Sequence, residues 1–231
     1  MKFSQINKLK AISRWRKIQE KEKKYIQDNK NEYLYLKARL FGYLAGDGNI
    51  LIGNKISNFH HTMRFYPDHK SMIRPFCEAF YKVYGKIPKL KKLYNYYFLY
   101  VDSKVIVLDI TNSAEFGVLN WKVPYKILNN KKSKREWLRA FFDCEAYVGK
   151  NGIRIQCVNR LGIQQIKGLL NEFGIASNLY TYSPKNKNWN TNHILVIGKS
   201  GMRKKYLNAI GFNHVSKLAN LKESVKIYKQ K

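Results

Sequence analysis

Two carboxylates carry the chemistry that this sequence offers. Asp47 closes the run LFGYLAGDG, residues 40–48, and Glu145 closes the run LRAFFDCEA, residues 138–146. The runs stand in register: Leu40 with Leu138, Gly42 with Ala140 and Asp47 with Glu145, each pair 98 positions apart. Helical spacing puts Gly42 and Gly46 on one face of the first run, and Ala140 and Cys144 on the same face of the second. Small residues at i and i+4 let two helix backbones approach closely, so these four positions predict a seam between two halves of the molecule. Each acid then sits at a helix C-terminus, where the macrodipole is already negative, and the seam brings the two together. Such an arrangement requires a compensating charge. Carboxylate oxygens are hard donors suited to Mg²⁺, and two acids at the edge of a basic surface suit phosphodiester hydrolysis. Taken alone, Asp47-Gly48 is also an ordinary helix cap or turn; the in-register second copy is what favours the site.

The two stretches resemble the two copies of the LAGLIDADG motif of homing endonucleases, in the single-chain, two-repeat form. The first copy matches at Leu40, Gly42, Leu44, Gly46, Asp47 and Gly48. The second matches at Leu138, Ala140, Phe142, Asp143 and Glu145, with Ala146 where glycine is usual. Ala45 stands where the fuller motif has its first acid, which Asp143 keeps in the second copy. The approach to the second copy, from Trp121-Lys122-Val123-Pro124 to Glu136-Trp137-Leu138-Arg139, is similar to the family as well. The resemblance covers roughly residues 36–225. It implies an α+β fold of two pseudo-symmetric αββαββα repeats, with saddle-shaped antiparallel sheets around a central two-helix seam. It further implies a monomer bound to double-stranded DNA, with Mg²⁺-dependent cleavage of both strands of a long site leaving short 3′ overhangs. Mn²⁺ or Ca²⁺ would substitute for Mg²⁺, Ca²⁺ without catalysis. Carried over residue by residue, Asp47 and Glu145 are the metal-binding catalytic acids, with Gly46 and Cys144 beside them in the metal set. Lys150, just beyond Glu145, is a candidate to assist at the scissile phosphate; in Gly149-Lys150-Asn151-Gly152 it is equally well a turn lysine.

The elements that position the acids are legible as two similar series. Residues 1–33 are rich in Lys, with Ile6, Leu9, Ile12 or Trp15, and Ile18 at near-helical spacing, and predict a basic helical extension. Residues 34–130 form the first repeat and 131–231 the second. In the first, alternation over Ile56–Phe65 predicts a strand, Asp68–Tyr84 a helix ended by Gly85, and Lys89–Tyr94 with Tyr96–Val101 a strand pair. In the second, Gly152–Val158 reads as a strand, Leu161–Phe173 as a helix ended by Gly174, and Asn178–Tyr182 with Thr191–Ile197 as a hairpin around 183–190. Met202 onward reads as helical. Leu40, Tyr43, Leu44, Trp137, Leu138, Phe141 and Phe142 are the expected core on either side of the seam.

Composition names the partner. The chain has 231 residues, 45% hydrophobic, with 44 Lys+Arg against 15 Asp+Glu and a formal charge of +29. That excess calls for a polyanion, nucleic acid before an anionic membrane surface. No apolar run reaches the ~20 residues of a bilayer span, and the first residues do not read as a signal peptide. Three scattered cysteines, Cys77, Cys144 and Cys157, give no metal signature and point to a reducing, intracellular compartment: cytoplasm, nucleoid or organelle. Strand alternation places Phe59, Met63 and Phe65 on one face, and Asn58, His60, Thr62 and Arg64 on the other. Arg154 and Gln156 likewise oppose Ile153, Ile155 and Cys157. Together with Tyr180 and Tyr182 these polar faces suit base edges, while Lys89, Lys91, Lys92, Lys185 and Lys187 suit phosphates. His60 and His61 are strand neighbours on opposite faces and cannot share one metal. Site-specific DNA cleavage is the leading expectation. Alternatives on the same fold are an RNA maturase acting on its host intron RNA and a non-catalytic DNA-binding regulator.

Overall fold

The computed structural model describes residues 3–53, 60–186, 188 and 190–226. One long helix, α1 (Phe3–Asp28), precedes two similar series. The first is α2 (Leu34–Asp47), β1 (Gly48–Leu51), β2 (Thr62–Phe65), α3 (Ile73–Tyr84), β3 (Lys89–Leu93), β4 (Tyr96–Asp102) and α4 (Lys104–Ser113). The second is α5 (Lys131–Glu145), β5 (Tyr147–Gly149), β6 (Gly152–Cys157), α6 (Arg160–Glu172), β7 (Asn178–Tyr182), β8 (Asn192–Ile197) and α7 (Ser200–Ala209), followed by α8 (Val215–Lys226). Both series run αββαββα. Each builds a four-stranded antiparallel sheet with the same order, β1-β2-β4-β3 and β5-β6-β8-β7.

The local causes repeat as well. Helices α3 and α6 each stop at a glycine in the left-handed region, Gly85 at φ 65° and Gly174 at φ 68°, where a side chain would be strained. Short polar side chains cap three of the helix starts. Ser103 Oγ accepts from Ile106 N at 3.2 Å, Asn130 Oδ1 from Ser133 N at 2.9 Å, and Asn159 Oδ1 from Gly162 N at 2.9 Å. The connection between the repeats is irregular but anchored. Trp121 and Val123 are buried, Val123 N donates to Gln165 Oε1 at 2.9 Å, and Asn159 Nδ2 donates to Trp121 O at 2.6 Å. The WKVP approach noted in the sequence therefore docks on the second repeat.

Every residue expected in the core is buried: Leu40, Tyr43 and Leu44 from α2, and Trp137, Leu138, Phe141 and Phe142 from α5. In the first repeat Tyr43, Phe65, Phe76 and Phe80 pack ring on ring, Phe65 and Phe76 with centroids 4.4 Å apart. In the second, Trp137 stacks on Phe141 at 5.2 Å, and Phe142 packs on Tyr206 at 5.1 Å. Helix α1 is a single helix held at its C-terminal half. There Tyr25 Oη donates to Lys82 O at 3.2 Å, and the Glu22 carboxylate accepts from Lys86 Nζ at 2.8 Å. Leu9, Ile12, Trp15 and Ile18 remain exposed, so their near-helical spacing does not pack them on the body. The strand expected over Ile56–Phe65 is confined to β2, and the part of it at 56–59 lies outside the described residues.

Candidate active site

Helices α2 and α5 lie directly against each other along the four small positions. A Cβ at Gly42 would stand 2.4 Å from the Trp137 carbonyl oxygen and 2.9 Å from Ala140 Cβ. A Cβ at Gly46 would stand 2.4 Å from Cys144 Cβ. No real side chain tolerates such distances, so the absence of side chains at 42 and 46 is what allows the approach. At the other end of the seam Arg39 clamps Glu136, with Nε at 2.9 Å and Nη2 at 2.7 Å from Oε2. Arg139 Nη1 takes Oε1 at 3.1 Å, so this nearly buried carboxylate is fully paired.

The C-terminal ends of the two helices deliver Asp47 and Glu145. Burial raises the Asp47 carboxyl, while a hydrogen bond from the Cys144 side chain favours its charged form. Glu145 is pushed up to about 7, first by burial and then by the charge of Asp47 beside it. The two acids thus act on each other, as the in-register runs predict. Ala146, where the motif usually has glycine, leaves the turn intact: Gly48 and Ala146 are both extended, at φ −94° and −83°.

Asp143, the acid that has no counterpart at Ala45, works elsewhere. It is fully buried, and its Oδ1 accepts the backbone N–H groups of Asn213 at 2.9 Å and His214 at 3.0 Å. Its Oδ2 accepts Tyr43 Oη at 3.2 Å. Burial raises this carboxyl to about 6 against those bonds. It fastens the α7–α8 connection to the seam.

The cation beside the acid pair is Lys217, on α8, which the sequence reading did not single out. Its Nζ donates to the carbonyls of Asp143 and Cys144, the latter at 2.9 Å, and stands 3.7 Å from Asp68 Oδ2. Its charge lowers the pKa of both Asp47 and Glu145. Nothing in a chain with 44 basic residues distinguishes this lysine until α8 folds back over the end of α5. Lys150 occupies a different place. It is exposed in the two-residue turn that joins Gly149 to Gly152, at the far end of β5 and roughly 10 Å along the strand from its start.

The donor set fits a divalent cation shared with a substrate. Among the described residues no group of three or more His, Cys, Asp or Glu side chains is gathered to hold a metal. Two hard carboxylates remain, with coordination left for phosphate and water oxygens, as Mg²⁺ prefers. Cys144, expected in the metal set, has its polar atoms engaged. Its carbonyl accepts from Lys217 at 2.9 Å, and its thiol, pushed well up by burial, donates to Tyr43 O at 3.8 Å beside the Asp47 side chain. Gly46 serves the seam.

Beside Glu145 opens a cleft of about 950 Å³ that reaches to Asn49 on β1, Gln156 on β6 and Asn192 on β8. The open faces of both sheets border it. Arg64, Lys89 and Lys91 share the open face of the first sheet through the pairings Arg64–Tyr100, Lys89–Tyr100 and Lys91–Phe98. His60, just before β2, lines a hollow on that face with Arg64 and Lys91. Arg154, Gln156, Tyr180 and Tyr182 share the open face of the second sheet. Two expected contacts, one to a base and one to a phosphate, are placed differently from the rest. Thr62 lines the same hollow as His60 but is nearly buried, with its hydroxyl donating to Asp102 Oδ1 at 2.7 Å. Lys92 points to the opposite face, its Nζ 5.9 Å from the Tyr97 ring centre. Lys185 is exposed in the β7–β8 loop, and Asn58 and Lys187 lie outside the described residues.

Comparison with known proteins agrees with this geometry. The family model of the LAGLIDADG-like domain matches residues 132–211. A replication factor C small subunit of Methanocaldococcus jannaschii is 28% identical over 207 residues, which is 88% of this chain and 11% of that protein. A glutamine–fructose-6-phosphate aminotransferase of the same organism is 25% identical over 194 residues, 79% of this chain and 17% of that protein. The chain thus spans less than a fifth of the length of these curated relatives. The fold is that of the homing endonuclease I-DmoI, with a TM-score of 0.62 at 16% identity over 78% of this chain and 97% of that one. Other structures of I-DmoI hold target DNA and Mn, Mg or Ca.

Proposed function

We propose that the chain is a two-repeat LAGLIDADG protein and a site-specific endonuclease that cuts both strands of a double-stranded DNA target, a reading supported by the LAGLIDADG-like domain match over residues 132–211 and by the fold shared with I-DmoI. The observation that carries this reading is the mutual pressure of Asp47 and Glu145, two half-buried acids, of which Glu145 lines the cleft between the two sheets. A binding protein gains nothing from that electrostatic strain, whereas a nuclease needs it to hold a cation.

Asp47 and Glu145 would hold Mg²⁺ together with phosphate oxygens of the scissile site. The cation, when bound, neutralises charge on the departing oxygen and acidifies a water at neutral pH. The chain's own groups do the rest. The two sheets seat the duplex in register, and Lys217 favours the ionised form of both acids, offsetting part of the rise that burial causes. The narrow seam holds the two acids close together, which suits cuts on opposite strands that leave short 3′ overhangs. Mn²⁺ would replace Mg²⁺ in cleavage, and Ca²⁺ would support binding alone. Both halves of the site come from one chain, so the active form is a monomer working inside the cell. Matches to small parts of a replication factor C small subunit and of a glutamine–fructose-6-phosphate aminotransferase support a mobile genetic module.

Cleavage of a randomised duplex library with Mg²⁺ against EDTA tests this directly. Discrete Mg²⁺-dependent cuts at a recurring sequence support the proposal. Retention of binding with no cuts at any divalent ion would leave only the binding or RNA-splicing alternatives.

A further inference from the structure

The two open faces differ in the groups that pack on one another. On the first, Tyr66, Tyr96, Phe98 and Tyr100 form a continuous aromatic band. Tyr66 lies 5.6 Å from Phe98, Tyr96 6.1 Å from Tyr66, and Tyr100 5.8 Å from Phe98. Alternation along β4 confirms the side: Leu99 and Val101 are buried, so Phe98 and Tyr100 face outward. The second also carries Tyr180, Tyr182, Ile194 and Val196, and on it Arg154 Nη2 donates to Gln156 Oε1 at 2.6 Å, a pair rich in hydrogen-bonding groups.

We infer that the first sheet reads its half of the DNA target by apolar contact with thymine methyl groups, and the second reads its half by hydrogen bonds to purines. This rests on the DNA-cutting function proposed above. In the major groove the apolar feature that separates one base pair from another is the thymine 5-methyl, and an aromatic ring is a partner for it. Phe98 has no hydrogen-bonding atom with which to read a base in any other way. Arginine and glutamine, by contrast, are suited to guanine and adenine edges.

An aromatic band also serves to stack unpaired bases, but that use needs free ring faces. Here cations lie over the rings of Phe98 and Tyr100. The Arg64 guanidinium carbon lies 5.9 Å from the Phe98 centre, and Lys89 Nζ 5.8 Å from the Tyr100 centre. Tyr66 covers Phe98 further, with ring planes 30° apart. Ring edges are what remain for the ligand, and edges suit methyl groups in a duplex. The flanking cations meet the phosphates on either side.

The test uses targets selected by Mg²⁺-dependent cleavage from a random duplex library. Thymines are expected to concentrate in one half-site. Gel shifts in Ca²⁺ then compare duplexes with deoxyuridine in place of thymine in one half at a time. Uracil keeps every hydrogen bond and loses only the methyl. Affinity is expected to fall about fourfold for each contacted methyl removed in that half, and to hold when the other half is changed. Phe98→Ala combined with Tyr96→Ala should abolish the uracil sensitivity. Selected targets without thymine, or specific binding insensitive to uracil in both halves, would overturn the inference and leave the nuclease reading standing. Tighter binding of single-stranded RNA than of any duplex would overturn it in favour of base stacking. A library that is neither bound nor cut would overturn both.

Discussion

Gly46 lies against Cys144 so closely that a methyl group added at Gly46 would fall 2.4 Å from Cys144 Cβ. That single contact places the ends of α2 and α5 side by side, and the residues that follow, Asp47 and Glu145, have no choice but to meet. The repulsion between them is a consequence of the packing that makes the fold.

The seam is therefore expected to be intolerant of volume. Gly42→Ala forces a methyl onto the Trp137 carbonyl, and Gly46→Ala forces one onto a side chain. Overpacking of this kind costs roughly 1–3 kcal/mol, with Gly42 the worse because backbone cannot step aside. Thermal melting of both variants checks it; an unchanged midpoint for Gly42→Ala would remove the close seam.

Asp47→Asn and Glu145→Gln should each reduce cleavage of at least one strand by orders of magnitude, since the cation contributes several kcal/mol to the transition state. DNA affinity in EDTA should hold or rise slightly, because an anion near phosphates has been removed. The double variant cutting both strands at the parent rate would place the active site elsewhere.

Glu145 also predicts a pH signature without metal. Its folded pKa of about 7 lies above the ordinary 4.5, so the folded state favours the protonated form. Below pH 4.5 both states are protonated and the acid has no effect. As pH rises toward 7 the unfolded state ionises first, and the folded protein loses stability, fully by about pH 8. Glu145→Gln should match the parent at low pH and exceed it by on the order of 2–3 kcal/mol above neutrality. Denaturant melts in EDTA across this range decide it; a constant difference would deny the shifted carboxyl.

Lys217→Met should move the chemistry rather than the fold alone. Lys217 lowers the pKa of both acids and caps the carbonyls of Asp143 and Cys144. Without it the acids ionise later, and the acidic limb of the cleavage pH profile should shift upward. A purely structural role for Lys217 would lower the rate at every pH without moving that limb.

Much of this protein is local and periodic, and so was written in the chain. The paired runs, their small positions and the two acids follow from helical spacing and an offset of 98 residues. The terminating glycines Gly85 and Gly174 follow from the left-handed turn they permit. Alternation assigned Arg64, Arg154 and Gln156 to open faces, because side chains on a strand must alternate whatever surrounds them. What alternation cannot say is whether an outward residue is already engaged. Thr62 has the right parity, yet Asp102 holds its hydroxyl from a strand 40 residues away. Lys217 shows the same limit. Nothing nearby in sequence marks it, yet α8 returns it to the end of α5, where it donates to Cys144 O across 73 residues. Spacing determines which residues share a face. Only the long-range packing of elements decides which charges are neighbours, because Coulomb forces act through space and the chain's folding path sets the distances.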